Sequence, residues 1–188
     1  MNTLRCFWVP LEDQLYVNYH DYEWGKPVHD DHILFEMLIL EGMQAGLSWR
    51  TILHRREGYR QAFDNFDIEK ILTYDEEKLA SLMLDERIIR NRLKINSVHH
   101  NAKAFQNVQK EFGSFDKYIW SFVNYEPMRI IRDGENDIPV RTELSDKISK
   151  DLKKRGFKYV GSVIICAYMH AVGLINGHSK ECFCYVPE

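Results

Sequence analysis

The chain has 188 residues, of which 45% are hydrophobic and 28% charged, with a formal net charge of −3. This length is enough to fill a hydrophobic core, the composition excludes disordered and fibrous classes, and the charge excludes a protein that grips nucleic acid with its whole surface, while leaving room for a local basic face. No run of eighteen apolar residues occurs and MNTLRCFWVP has no charged segment leading into an apolar one, so neither a membrane span nor a secretory signal is expected, and a cytoplasmic protein is.

The apolar pattern is helical nearly throughout, and residues 1–188 read as one compact all-α unit. The stretch YVNYHDYEWGKP, Tyr16 to Pro27, holds four aromatic rings, a histidine and two acids in twelve positions. A buried knot, packing around a metal ligand, and a surface that holds something flat are all open readings of it. After His32, ILFEMLIL is apolar almost all round and predicts a helix buried on most sides. Ser48 is placed to cap a helix carrying Trp49, Ile52, Leu53 and Phe63 on one face. Asp67 and Asp75 start two short helices. A longer helix over 92–112 carries Ile95, Val98, Ala102, Phe105 and Val108, and Gly113 ends it.

Ser114 then caps a helix with Ile119, Trp120 and Val123. Between Asn124 and Val140 the prolines and the Asp133-Gly134 turn predict a loop, in which IIRDG forms a short strand pair at most. Thr142 restarts a helix through Leu144, Ile148 and Leu152 that Gly156 stops. A last buried helix, SVIICAYMHAVGLI, is expected to run to Asn176-Gly177.

Of the four cysteines, Cys166 lies in an apolar helix and reads as a core thiol. His178 and Cys182 are four apart, which on one helical turn places both on the same side. Cys6 and His20 supply a second pair near the N-terminus. Two thiolates and two imidazoles make a tetrahedral zinc complement, and a closed set of four leaves no position for water, so such a metal would be structural and would tie the two ends of the chain together. Cys184, two residues beyond Cys182, is the rival ligand.

Glu41 ends the apolar helix: it is either solvent-facing, as Gly42 after it favours, or buried for a purpose, since an unpaired buried charge costs several kcal/mol. Basic residues cluster at Arg55, Arg56 and Arg60, at Arg87, Arg90, Arg92 and Lys94, and at Lys150, Lys153, Lys154, Arg155 and Lys158. His99 and His100 are expected to face solvent and His170 to be a core histidine.

Four separated motifs, Y-x2-YHDYEWG, LFEMLILEG-x-QAGLSW, KKRGFKYVG and the terminal H-x3-C, occur in an order that resembles the DNA-3-methyladenine glycosylase I family, bacterial enzymes that excise alkylated adenine. The resemblance covers nearly the whole chain. It implies a helix-hairpin-helix glycosylase fold with one structural zinc ion held by Cys6, His20, His178 and Cys182. It further implies a base pocket of Tyr16, Tyr19, Glu41 and Trp49 with Trp24 nearby, Glu41 being the catalytic carboxylate that accepts hydrogen bonds from the base edge and offsets its charge. The partners it implies are double-stranded alkylated DNA and free 3-methyladenine as product, with 3-methylguanine left open; nothing suggests more than a monomer.

The segment LMLDERIIRNRLKINS resembles the hairpin, although its turn, around Arg90, Asn91 and Arg92, lacks the usual glycine; Asn91 is expected to take the left-handed conformation instead. The loop from Met43 to Leu47, with Gln44 and Leu47, is either the wedge that fills the gap left by a flipped base or an ordinary turn. No aspartate follows the hairpin, and Lys94 and Lys103 sit at helical positions with no sign of a depressed pKa, so hydrolysis without strand cleavage is expected. Two other classes compete: a zinc-clipped DNA-binding module without catalysis, and a zinc hydrolase using His178 and Cys182 with an open metal position.

Overall fold

The computed structural model describes residues 4–130 and 139–186; the Asp133-Gly134 turn and most of the IIRDG segment lie outside them. Helices begin where a short polar side chain can accept from the backbone N–H groups that a helix start leaves unpaired. Asp13 caps α1 (Gln14–Tyr22), Asp30 caps α2 (Asp31–Gln44) and Ser48 caps α3 (Trp49–Leu53). After α4 (Arg56–Ala62), Asp67 and Asp75 cap α5 (Ile68–Leu72) and α6 (Glu76–Leu82).

Asn91 caps α7 (Arg92–Phe112), which Gly113 ends at φ 87°, and Ser114 caps α8 (Phe115–Trp120). Thr142 and Ser145 form a reciprocal capping box at α9 (Glu143–Lys154), and α10 (Ser162–Ala171) follows Gly161. Substituting one such cap by alanine typically costs about 1 kcal/mol. The only strands among the described residues are β1 (Met128–Arg129) and β2 (Ile175–Asn176), paired in parallel.

The core is built around α2, which is buried from Leu34 to Met43 and packs against α10, α3, α7 and α8. Gly42 does not end this helix. It sits inside it, where an added Cβ would lie 3.2 Å from the Cβ of Tyr159. Glu41 is therefore carried into the interior, 3% exposed, and the solvent-facing reading is excluded.

Two expected helices need correction. The helix from Ser48 to Phe63 is broken at His54 and Arg55. Polar anchors hold the break: His54 Nε2 lies 2.7 Å from Asp13 Oδ2, and Arg56 turns inward to Glu36 at 2.6 Å and to Glu23. The last helix stops at Ala171, well before Asn176, because the chain must turn at Gly173 (φ 73°), where a Cβ would lie 2.2 Å from the carbonyl carbon of Lys26. That close approach is fixed by backbone bonds from Gly25 to His170 (2.9 Å) and from Val28 to Val172 (3.0 Å). Among the described residues no helix is long and apolar enough to cross a membrane.

Candidate functional site

The crossing of the 25–28 segment over the end of α10 brings the two ends of the chain together. Cys6, His20, His178 and Cys182 are all buried, and their ligand atoms lie within 4.8 Å of one another. His178 and Cys182 meet without sharing a helix, contrary to the spacing argument: residues 177–179 are irregular and a turn follows at 180–181, with the Cys182 N–H bonded to the Ser179 carbonyl at 2.9 Å. Cys182 Sγ lies 3.4 Å from His20 Nε2 and 3.5 Å from His178 Nδ1, and Cys6 Sγ lies 3.5 Å from His178 Nδ1. The rival Cys184 is not in that set of four: its sulfur lies 3.9 Å from the Asp21 carbonyl and within 4.8 Å of ligand atoms of His20 and Asp21, on the outer side of His20 Nδ1, while its N–H points at Cys182 Sγ.

The donor set suits a tetrahedral thiolate-imidazole metal. Each imidazole has one nitrogen committed outward to an acceptor, so its other nitrogen faces inward as a lone pair. His20 Nδ1 lies 2.8 Å from Asp21 Oδ1, and Arg5 grips that carboxylate with two nitrogens. His178 Nε2 lies 3.1 Å from the Trp24 carbonyl oxygen. Hydrogen bonding with Cys182 pushes the Cys6 thiol down, and the Cys6 sulfur in turn pushes the Cys182 thiol up. Two sulfurs this close share a proton; a cation between them lets both be thiolates. Gly25 (φ 75°) is required here, since a Cβ on it would sit 2.9 Å from His178 Nε2.

Beside this cluster lies a cavity of about 190 Å³. Tyr16, Tyr19, Trp24, Glu41 and Trp49, the residues expected there, all line it, joined by Trp8, Gln44, Ala167 and His170. The rings pack on one another edge to face or tilted: Trp8 and Trp24 have centroids 4.8 Å apart, Trp8 and Tyr16 5.9 Å, Tyr19 and Trp49 5.2 Å. Burial pushes the Tyr16 and Tyr19 phenols up, so both stay neutral.

Glu41 Oε2 has no hydrogen-bond partner, and neither do the indole N–H groups of Trp8 and Trp49. Burial alone pushes the Glu41 carboxyl up from 4.5 to about 8. A native structure rarely leaves three such groups unpaired in one place, and a ligand that pairs them is the simplest account. The cavity can therefore take a flat, polar-edged molecule, and a positively charged one would draw the raised Glu41 pKa back down and pair with the carboxylate.

Trp8 and His170 were not legible as wall residues. Trp8 lies outside any helix, two residues after a metal-ligand candidate, where no periodicity applies. His170 is buried, as expected of a core histidine, with Nδ1 2.8 Å from the Cys166 carbonyl. Its ring also stacks on Trp24, with centroids 5.8 Å apart. The available signal was its i+3 spacing from the small Ala167.

Gln44 reaches the cavity and Leu47 is 39% exposed at the tip of the same loop. Arg90, Asn91 and Arg92 lie on the surface. Asn91 is not left-handed: at φ −125° its side chain caps α7 by accepting from the Lys94 N–H, which holds its backbone in the extended region. No glycine-like turn is needed there.

Lys94 departs further from expectation. It is 6% exposed, its Nζ donates to the carbonyls of Met43 and Ala45 at 2.7 Å each, and burial pushes its pKa down. Two of the other basic clusters are partly consumed internally: Arg56 and Arg60 pair with Glu36, and Arg155 with Glu111 and Asp151. Arg90 and Arg92 have no such partner among the described residues. His100 is exposed, while His99 is half-buried, with Nε2 3.4 Å from the Leu72 carbonyl.

The methyladenine glycosylase family profile matches residues 8–185. DNA-3-methyladenine glycosylase 1 of Escherichia coli (strain K12) is 46% identical over 181 residues, covering 96% of this chain and 96% of that protein. The DNA-3-methyladenine glycosylase of Haemophilus influenzae is 44% identical over 184 residues, covering 97% and 98%. A crystal structure of a 3-methyladenine DNA glycosylase I superposes with a TM-score of 0.94 at 45% identity, covering 97% of this chain and 100% of that one. A variant of such an enzyme in complex with 3-methyladenine superposes with a TM-score of 0.89 at 35% identity, covering 92% of each. This chain belongs to the methyladenine glycosylase family, hydrolases that act on N-glycosyl bonds.

Proposed function

We propose that this protein removes 3-methyladenine from alkylated double-stranded DNA by flipping the damaged base into the cavity and hydrolysing its N-glycosidic bond. The observation that carries the reading is the buried Glu41 carboxyl with an unpartnered oxygen inside aromatic walls. Methylation at N3 makes the attached adenine cationic and already a good leaving group, so little acid catalysis is required. The site must instead prefer a flat cation to neutral adenine. Stacking contributes roughly 1 to 3 kcal/mol per base and cation–π attraction about 0.5 to 2 kcal/mol, while the cationic base draws the raised Glu41 pKa back down, so that the carboxylate formed beside it accepts from the base edge and offsets its charge.

An N3-alkylated base is also cheaper to unpair and extrude. Water then attacks C1′, and the neutral methylated base departs. Strand cleavage through a Schiff base needs a free amine at the sugar. No lysine lines the cavity among the described residues, and Lys94 is engaged by two carbonyls, which supports a monofunctional enzyme.

In this reading residues 82–97 form the hairpin of a helix-hairpin-helix element, the start of α7 with Arg90, Asn91 and Arg92 meets the phosphates without reading sequence, and Gln44 and Leu47 fill the gap in the duplex. Cys6, His20, His178 and Cys182 hold Zn2+, which when bound supplies a closed structural crosslink and no water-activating position. The whole chain acts as one unit, a monomer working in the cytoplasm. The experiment is base release from methylated duplex DNA, with metal content measured on the same sample. We expect free 3-methyladenine from the wild type and at least a tenfold slower release from Trp49→Ala. Tight binding of methylated DNA with no release over hours would instead make the protein a damage-binding module.

A further inference from the structure

The end of α2 and the loop after it carry Glu41, Gln44 and Leu47, and four successive backbone carbonyls of this segment each have an identified acceptor role. The Gly42 carbonyl accepts from Ala45 N–H at 3.3 Å and the Gln44 carbonyl from Leu47 N–H at 2.7 Å. The Met43 and Ala45 carbonyls, on either side of Gln44, both accept from Lys94 Nζ. Lys94 comes from the first turn of α7, the turn that Asn91 caps through the Lys94 N–H. Its ammonium faces the carbonyl end of the fourteen-residue α2, where a helix dipole favours a cation. No carboxylate pairs with it among the described residues, and its nitrogen is not placed to act on a substrate in the cavity.

We propose that Lys94 is a positioning residue that locks the base-gap loop to the phosphate-contacting helix, so that Gln44 and Leu47 enter the duplex in register with the hairpin's grip on the backbone. This rests on the glycosylase reading above. A ball of three donors on a flexible stem suits the task, because the Met43 and Ala45 carbonyls converge on one point, each 2.7 Å from Nζ. The consequence is specific. Lys94 should matter for taking a paired base out of duplex DNA and should matter little for holding a base that is already free.

The test compares wild type with Lys94→Met, which keeps the stem and removes the donors, and with Lys94→Gln, which keeps one polar end; folding is checked by melting. Three readouts are taken: binding of free 3-methyladenine by tryptophan fluorescence, base release from methylated duplex, and base release from methylated single strands. We expect free-base affinity within about threefold of wild type, duplex release reduced at least tenfold, and single-strand release reduced no more than about threefold. Equal losses on duplex and single strands, a parallel loss of free-base binding, unchanged rates throughout, or failure of both variants to fold would each overturn the positioning role. Absence of base release by the wild type would be a failure of the glycosylase reading and is distinguishable from all of these.

Discussion

His178 Nε2 lies 3.1 Å from the carbonyl oxygen of Trp24, and the Trp24 ring lines the cavity. The cysteine–histidine cluster and the aromatic cavity thus share a wall. Trp8 follows Cys6 by two residues, Tyr19 immediately precedes His20, and the Trp24 carbonyl fixes the tautomer of His178. Three aromatic walls are anchored next to three candidate ligands.

Loss of a ligand should therefore reach the cavity. We expect Cys182→Ser to bring zinc content from about one per chain to near zero and to lower stability by several kcal/mol, less than the on-the-order-of 10 kcal/mol seen in small zinc peptides because a helical core persists here. Cys184→Ser should keep its zinc. Metal analysis and urea unfolding of both variants check this; retention of zinc by Cys182→Ser would show the ligand set to be wrong.

The Glu41 carboxyl titrates at about 8 in the folded chain against 4.5 ordinarily. Between those values the unfolded chain has released a proton that the folded chain still holds, so stability falls as pH rises from about 4.5 to about 8 and levels off above. At about 1.4 kcal/mol per unit of separation the loss amounts to a few kcal/mol. Glu41→Gln should flatten this slope, so that its melting temperature overtakes wild type progressively across the window. Parallel pH profiles for the two proteins would refute the buried acid.

Arg56 is 9% exposed and bonds Glu36 and Glu23. Removing it as Arg56→Met leaves the buried Glu36 to Arg60 alone and is expected to cost about 3 kcal/mol, the lower end for a broken buried pair. Replacing Glu36 as well, by leucine, should recover part of that loss. Chemical denaturation of the single and double variants decides; a double variant less stable than the sum of the singles would count against the pairing.

Arg90 is exposed at the hairpin with no carboxylate partner among the described residues. As a phosphate contact it should weaken DNA binding when changed to alanine and reduce the slope of log affinity against log salt by about 1. Free-base binding should not move. An unchanged salt slope would take Arg90 off the DNA face.

Local chemistry is what the sequence carries by itself. The caps at Ser48, Asp67, Asp75, Ser114 and Thr142, the span of α7 and its stop at Gly113 depend on contacts between residues three or four apart, so the order of residues determined them. The set of two thiols and two imidazoles and the aromatic walls were legible from side-chain chemistry and from the family motifs. Tertiary structure decided what depends on distant partners. Cys6 meets His178 across 172 positions, and only the crossing of 25–28 over α10 brings Cys182 and not Cys184 into the cluster with Cys6 and ends the last helix at Ala171, ahead of the turn at Gly173. The same holds for the burial of Glu41, for Trp8, and for Lys94, whose residue type says surface cation until two carbonyls 49 and 51 positions away surround it, because desolvation and hydrogen bonding are set by neighbours in space.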